Sequence, residues 1–251
     1  MYLLQKATQL TVDRDALSDL YAYPDGDPST SPCHVRANMV TSLDGAAAAD
    51  GVSAGLGGDG DKQVFGLLRD LAEVVLVGSA TVTQEGYGPI DPGGDDPSTT
   101  TLAIVSGSLH LDAEQDAVTA ASTVVLTHEG APADRRTRLV DAGATLLDCG
   151  EDDVDLRRAL AHLADRGRTR VLCEGGPGLL AALFAEDLVD ELCLTTGPTL
   201  IGGDAGRITH GDTGGTRRLR RAHVLADDEG FLFTRWVRGV VADDPTTSDG
   251  N

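Results

Sequence analysis

The chain alternates between short apolar runs and longer amphipathic stretches. The apolar runs are five or six residues long and rich in β-branched residues, as strands buried on both faces are. They cover residues 74–78, 102–106, 123–127, 144–148, 170–174 and 191–196. Helix-like stretches cover residues 61–73, 133–143, 154–167 and 177–188. This alternation predicts an α/β fold, in which helices cover both faces of a mostly parallel sheet.

The C-terminal part departs from the alternation. Residues 216–239 read as two strands joined by the turn-forming sequence ADDEG at 226–230, which predicts an antiparallel hairpin added to the sheet. The sequence NMVTSLDG at 38–45 alternates apolar and polar positions before an Asp-Gly turn, and by itself it is an ordinary hairpin signal. The predicted sheet is therefore mixed.

No repeat or shift in composition marks a second domain. Pro, Gly and Asp are concentrated at 24–32 and 86–100, which predicts loops. We expect one domain over residues 34–240, preceded by an N-terminal extension over 1–33. The polar residues 241–251 predict a disordered tail.

The composition excludes several classes of protein. Forty acidic residues against twenty basic ones give a net charge of −20, which would repel nucleic acid and anionic membranes. No apolar run reaches the roughly 18 residues of a membrane span, and the first residues do not resemble a signal peptide. We therefore expect a soluble, cytoplasmic protein that acts on a small molecule.

The cysteines and histidines indicate neither a disulfide framework nor a metal site. Cys33, Cys149, Cys173 and Cys193 are widely spaced and form no CxxC pair, so we expect free, mostly buried thiols. The six histidines do not pair at metal-ligand spacing, and the zinc deaminase pattern and GxSxG are missing. No catalytic nucleophile or proton donor stands out.

The sequence CEGGPGLL at 173–180 places a carboxylate and glycines between a predicted strand and a predicted helix. Backbone amides at such a helix start can hold a pyrophosphate, and the alternative is a tight turn without a ligand. Glu174 favours a ligand site, because a carboxylate at the end of a buried strand is costly unless it is paired or faces a cleft.

Two other segments carry weaker signals. GLGGDG at 55–60 matches GxGxxG but follows no predicted strand, so we do not expect a dinucleotide-binding turn there, although it fits a flexible loop beside a ligand. Ser79, Thr81 and Thr83 follow the strand at 74–78 and suit hydrogen bonding to phosphate or ribose. The alternative is that Ser79 merely caps a helix.

Four segments, in this order, resemble the bacterial riboflavin-biosynthesis pyrimidine reductase family, the reductase domain of the bifunctional deaminase-reductase. They are TSLDG (41–45), FGLLRDLAEVVLVGSATV (65–82), EGGPGLLAAL (174–183) and LVDELCLTTGPTLIGG (188–203). The resemblance implies a three-layer α/β/α dihydrofolate-reductase-like fold. It is nearest to the stand-alone pyrimidine-reductase-like proteins, since no deaminase domain precedes these segments.

The resemblance also implies a reaction and its binding residues. A hydride would pass from NADPH to the ribosyl group of a phosphorylated aminopyrimidine, opening the sugar to a ribityl chain. The positions that match cofactor contacts are Val40, Thr81, Glu85, Ser106, Gly175, Gly176, Pro177, Gly178, Leu179, Leu180, Ala181 and Ala182. The positions that match substrate contacts are Ser53, Arg69 and Glu174. The apolar segment LVDELCLTT, expected near the sheet edge, makes a homodimer plausible.

This chain also departs from the family. Asn38 stands where the family has a lysine, and Gly55 replaces an aromatic residue. EGYGPIDP from Glu85 onward lacks the family's phosphate-binding arginine near Pro92. Such a loss could weaken substrate binding by roughly ten- to a hundredfold. The alternatives are therefore a reductase of another heterocycle, such as dihydrofolate, and a non-catalytic NADPH-binding protein.

Overall fold

A computed structural model describes residues 12–24, 31–90 and 100–239. The strands in this part of the chain form one mixed sheet. They are β1 (His34–Thr41), β2 (Val74–Gly78), β3 (Thr101–Val105), β4 (Thr123–Thr127), β5 (Leu146–Asp148), β6 (Arg170–Cys173), β7 (Glu191–Thr196), β8 (Leu219–Ala226) and β9 (Leu232–Arg238). Their order across the sheet is β5-β4-β3-β2-β6-β1-β7-β9-β8. The first seven are parallel to one another, and β9 pairs antiparallel with both β7 and β8.

Helices cover both faces of the sheet. They are α1 (Arg14–Tyr21), α2 (Asp59–Leu71), α3 (Ser79–Gln84), α4 (Asp116–Thr119), α5 (Ala133–Asp141), α6 (Leu156–Ala164) and α7 (Pro177–Ala185). Alternate side chains of β2 point to opposite faces of the sheet and so pack in two different cores. Val75 and Val77 pack in the core that includes α1, α2 and α5, while Val74 and Leu76 pack in the core that includes α6 and α7. The three-layer α/β/α architecture is therefore confirmed.

Most elements lie where the hydrophobic pattern predicted them. The six apolar runs are β2 to β7, and the C-terminal pair β8 and β9 is the predicted hairpin. The four buried cysteines are free thiols, as expected. Three further predictions concern the loop at 24–32, the loop at 86–100 and the tail. Residues 25–30, 91–99 and 240–251, which include Pro92, lie outside the described residues.

The hairpin interpretation of residues 38–45 is wrong. Residues 38–41 are the end of β1, a central strand that pairs parallel with β6 on one side and with β7 on the other, and residues 42–45 form a turn that does not return as a paired strand. The strand was hidden in the pattern because Arg36 interrupts the apolar alternation. The Arg36 side chain is nevertheless fully buried, since Glu191 on β7 accepts a hydrogen bond of 2.8 Å from its Nε.

The expected position of LVDELCLTT at the sheet edge is also wrong. This segment contains β7, which is hydrogen-bonded to β1 and β9 and therefore has no free edge. The C-terminal hairpin adds two strands beyond it, and β8 is the outer strand on that side. Backbone pairing through β7 therefore cannot join two copies of the chain.

A buried charged cluster ties α1 to the sheet. Glu191 accepts hydrogen bonds from Arg36 and from Arg235 on β9. The two arginines also donate to the carbonyl oxygens of Leu20 and Tyr21 at the end of α1. Burial opposes the charge on Glu191, but its hydrogen bonds and the two arginines outweigh burial and hold its pKa well below the ordinary value. The cluster therefore links the segment before the predicted domain to the core.

Candidate active site

A cleft of about 590 Å³ opens at the carboxyl ends of β1, β2 and β6. This is the edge at which open α/β sheets bind ligands. Its floor includes Asn38, Met39 and Val40, which lie near the carboxyl end of β1, just before its last residue. One wall is a face of α2, and Gly176 and Pro177 at the start of α7 form part of the opposite side.

The α2 wall combines apolar and charged side chains. Asp61, Phe65 and Arg69 are four residues apart, so they share one helix face, and all three line the cleft. Val64, Leu67 and Leu68 of the same helix point into the core. The core packing of α2 thus fixes which of its side chains reach the cleft.

Glu174 is held by two side chains at the end of β6. Arg69 donates from Nε and Nη2 to the two carboxylate oxygens, each at 2.7 Å, and the Tyr87 hydroxyl donates to Oε2 at 2.6 Å. The Glu174 side chain is only 2% exposed, against 29% for Arg69. Burial and the Glu174 charge raise the pKa of Tyr87 well above its usual value. This arrangement explains how a carboxylate is tolerated at the end of a buried strand.

The glycine turn after Glu174 is packed too tightly for side chains. Gly175 has a φ of +84°, a region that favours glycine, and its carbonyl oxygen accepts a 2.8 Å hydrogen bond from the Gly78 amide. A Cβ on Gly176 would lie 2.5 Å from Thr81 Oγ1. Gly176 caps α7 and Pro177 is its first residue, as the sequence predicted. The turn therefore exposes backbone rather than side chains to the cleft.

Glu85 fixes the loop on the other side of the cleft. Its Oε1 accepts a 2.8 Å hydrogen bond from the backbone amide of Ser53. Both residues line the cleft. A residue predicted to contact the cofactor thus supports one predicted to contact the substrate.

A second loop closes the cleft from the side of β7. Asp44, from the TSLDG segment, accepts hydrogen bonds from the amides of Ile201 and Gly202, the latter at 2.7 Å, and from the Ser42 hydroxyl. These bonds lower the pKa of Asp44 to about 2. The loop that Asp44 anchors carries the exposed Arg207, which lines the cleft.

The structure brings most of the predicted site residues together. Those that line the cleft are Ser53, Arg69, Glu174, Val40, Thr81, Glu85, Gly176 and Pro177. In α7, Leu180 and Ala181 are buried in the core, and Leu179 and Ala182 are half-buried against it, whereas Gly178 has open space beside its Cα. Ser106, at the end of β3, is not among the cleft residues. Its buried hydroxyl has no protein partner.

The weaker signals are also resolved. GLGGDG at 55–60 follows no strand; it runs from a short 3₁₀ helix (Ala54–Leu56) into the start of α2, so it is not a dinucleotide-binding turn. Ser79 is the first residue of α3 and Gly78 is its cap, so the capping interpretation of Ser79 is wrong. Sequence reasoning missed Asp61, Tyr87 and Asp44. The four-residue spacing of 61, 65 and 69 was a visible signal for the first of these.

The described residues contain neither a membrane-spanning helix nor a metal-ligand cluster. No helix among them is long and apolar enough to cross a membrane. No group of three or more histidine, cysteine, aspartate or glutamate side chains in that part of the chain is arranged to hold a metal ion.

The sheet order and the position of the cleft define a dihydrofolate-reductase-like fold. A dihydrofolate reductase from Enterococcus faecalis shares the fold at a TM-score of 0.50 and 13% identity, covering 82% of this chain and 97% of that one. The family whose model matches is the RibD C-terminal domain, over residues 33–233. The chain belongs to this family.

Individual relatives agree with this membership. A riboflavin biosynthesis protein RibD from Chlamydia muridarum is 31% identical over 157 residues, which is 61% of this chain and 42% of that protein. A 2,5-diamino-6-ribosylamino-4(3H)-pyrimidinone 5′-phosphate reductase from Archaeoglobus fulgidus is 32% identical over 115 residues, or 45% of this chain and 52% of that protein. The chain thus spans about half the length of these curated relatives.

A solved structure extends the similarity to most of the chain. It is a pyrimidine reductase-like protein from Corynebacterium diphtheriae, with a TM-score of 0.73 and 25% identity. The match covers 82% of this chain and 91% of that one.

Proposed function

We propose that the protein is an NADPH-dependent reductase that transfers a hydride to the ribosyl group of a phosphorylated aminopyrimidine. The observation that carries the proposal is the cleft itself, which places a side-chain-free glycine turn beside the Arg69–Glu174 pair. Family membership and the reductase names of relatives support the same chemistry. In this family the reduced nicotinamide, when bound, supplies the hydride.

The residues at the start of α7 fit a dinucleotide. Because a Cβ on Gly176 would meet Thr81 at 2.5 Å, this position keeps the backbone open to the cleft, as close approach by a phosphate requires. Gly176 makes no side-chain cap, so the first amides of α7 face no competing side-chain oxygen. The unpartnered buried hydroxyl of Ser106 provides a further hydrogen-bonding group at the neighbouring strand end.

The other part of the cleft fits a polar heterocycle linked to a phosphate. Glu174 uses both oxygens to hold Arg69, so the arginine is preset for a second partner on its exposed side. Arg207 and Lys62 add positive charge to the cleft of a very acidic protein. We infer that Arg207 takes over from the arginine that is missing near Pro92.

The test is the consumption of NADPH by the purified protein in the presence of the phosphoribosylaminopyrimidine. We expect reduced-nicotinamide absorbance to fall with the native protein and to be nearly constant with Glu174→Ala. Glu174→Gln, which keeps the shape of the side chain, separates loss of charge from loss of packing. Constant absorbance with the native protein, once NADPH binding is shown by fluorescence, would overturn the proposal.

The two alternatives have their own signatures. Asn38 lies on the floor of the cleft, so Asn38→Lys should raise activity if the pocket is an ancestral pyrimidine site with weakened binding. No gain in this variant or in Pro92→Arg, together with turnover of dihydrofolate, would favour another heterocycle. NADPH binding without turnover of either substrate would favour a non-catalytic protein.

The assembly and the location of the protein are also part of the proposal. We infer a homodimer in the cytoplasm, as the resemblance to this reductase family implies. Because β7 is interior, backbone pairing between two sheets would have to use an outer strand of the described sheet, β5 or β8, and β8 carries the exposed Val224. Light scattering of the purified protein measures its oligomeric state.

A further inference from the structure

Three carboxylates line the cleft, and their surroundings differ. Glu174 is bound by Arg69 through two hydrogen bonds, and Glu85 accepts the amide of Ser53. Asp61 has no such charged or backbone partner among the described residues, and the neutral hydroxyl of Thr195 on β7 favours its charged form only in part. Among the described residues, Asp61 is therefore the cleft carboxylate that no arginine or backbone amide holds.

The packing around Asp61 limits its contact with water. It lies in the first turn of α2, against Gly57, where a Cβ would come within 2.5 Å of its Oδ2. Burial raises the pKa of Asp61, and the hydrogen bond from Thr195 opposes this rise only in part. A protonated carboxyl in a cleft is a proton donor.

Within the described part of the chain, no cation counts against this preference. On its own helix, the ammonium of Lys62 pairs with Asp59 at 2.9 Å. The turn between β8 and β9 brings two more acids to the start of α2, Asp227 beside Gly60 and Glu229 beside Gly58. The charged residues of this turn are all acids, so it adds no positive charge beside the start of α2.

The proposed reaction requires such a donor. When a hydride reaches C1′ of the ribosyl group, a C1′–H bond forms and the C1′–O4′ bond breaks. The electron pair of that bond stays on O4′, which must gain a proton to become the hydroxyl of the ribityl chain. NADPH supplies the two electrons, and the proton must come from an acid or from water.

We propose that Asp61 gives this proton to O4′. The inference rests on the proposed function. Geometry supports it because Asp61 shares one helix face with Phe65 and Arg69, so a substrate held at Arg69 would lie along the side chain of Asp61. Tyr87 is the competing donor, but it already donates to Glu174 and its raised pKa makes it a poor acid. After each turnover, Asp61 would regain its proton from solvent.

The experiment compares Asp61→Asn with the native protein and with Asp59→Asn. Asp59 is two residues away on the same helix, its side chain is exposed, and it does not line the cleft. We expect Asp61→Asn to lower kcat by about a hundredfold or more, as for loss of a general acid, while NADPH affinity stays the same. The native kcat should fall as pH rises through the pKa of Asp61, and the variant should lose this dependence. Asp59→Asn should match the native protein.

A second measurement uses no substrate. A raised pKa means that the folded state binds a proton the unfolded state releases, so the stabilising effect of Asp61 is present at low pH and is lost as pH rises through its folded pKa. Native and Asp61→Asn proteins should therefore differ in Tm by an amount that changes over this range. The variant should fold, because it removes a carboxylate that burial penalises.

The outcomes separate the two proposals. If the native protein consumes NADPH with the aminopyrimidine and Asp61→Asn does so equally well, with the same pH profile, Asp61 is not the donor and the reductase proposal stands. If the native protein itself does not consume NADPH, the reductase proposal fails, and the role of Asp61 fails with it. A difference in Tm between the native and Asp61→Asn proteins that does not vary with pH would contradict the proposal that Asp61 is protonated.

Discussion

Arg69 and Glu174 are 105 residues apart in the chain and form two parallel hydrogen bonds of 2.7 Å. The pair joins α2 to the end of β6 and sets one wall of the cleft. Such bidentate pairs are geometrically specific, because the planar guanidinium fits a carboxylate in one orientation. Arg69 is therefore positioned before any ligand arrives.

Replacing Glu174 should cost both stability and activity. Glu174→Gln removes the negative charge, and we expect the free energy of unfolding to fall by about 1.5–3 kcal/mol, the range for hydrogen bonds to charged groups. Tyr87→Phe removes only the third hydrogen bond and should cost about 1 kcal/mol. Urea denaturation measures both. Additive effects in the double variant would contradict a coupled cluster.

The cluster around Glu191 should dominate the stability of the region that holds α1. Glu191→Gln leaves Arg36 and Arg235 without a buried counter-charge, so we expect a loss of about 3–5 kcal/mol. The matched control is Asp70→Asn, whose partner Arg14 is 66% exposed, and it should cost about 1 kcal/mol or less. Equal losses in the two variants would show that burial does not matter here.

The same cluster predicts a pH dependence. Because the folded pKa of Glu191 is lowered, its contribution to stability is present above the ordinary glutamate pKa of about 4.3 and is lost as pH falls below it. The difference in unfolding free energy between the native protein and Glu191→Gln should shrink as pH falls from 7 toward the acid range. Chemical denaturation at several pH values checks the sign.

Gly176 should not tolerate a side chain. Gly176→Ala places a methyl group 2.5 Å from Thr81 Oγ1, and overpacking of this kind costs about 1–3 kcal/mol. We expect lower stability and weaker NADPH binding. Removing the obstructing hydroxyl in Gly176→Ala/Thr81→Ala should restore part of the stability. Gly178→Ala is the control for stability, since it meets no atom within 4 Å and replaces a helical glycine.

Asp44 should control the order of the loop that carries Arg207. Asp44→Ala removes the acceptor for the amides of Ile201 and Gly202, so hydrogen exchange at these two amides should accelerate. Amides in β4 serve as the internal reference. The pKa of about 2 means that the native bonds persist above the ordinary aspartate range and weaken only as pH falls toward 2. Unchanged exchange in the variant would show that other contacts hold the loop.

The four thiols should be unreactive in the folded protein. Burial raises the pKa of Cys33, Cys173 and Cys193 to about 12 and that of Cys149 to about 11. Thiolate is the reactive form, so a thiol reagent at neutral pH should react slowly until the protein unfolds. Fast labelling of any one cysteine would contradict its burial. Counting labelled thiols with and without denaturant tests this.

The sequence by itself determined the fold class and pointed to the segments that form the candidate cleft. Wholly apolar runs identify strands covered on both faces, and six of the nine strands follow from this signal, because burial demands apolar side chains whatever the partners are. The Glu174–Gly178 segment was recognisable because a carboxylate at the end of a buried strand is costly unless it is paired or faces a cleft. Four ordered segments identified the family.

Only the tertiary structure decided how charges are paired and which side chains meet. Strand β1 escaped the pattern because Arg36 is buried, and that burial depends on Glu191, a residue brought next to it by strand pairing. The partners of Glu174, the role of Asp44 and the isolation of Asp61 likewise depend on residues distant in the chain. Burial and ion pairing are properties of three-dimensional neighbours, and local sequence does not specify them.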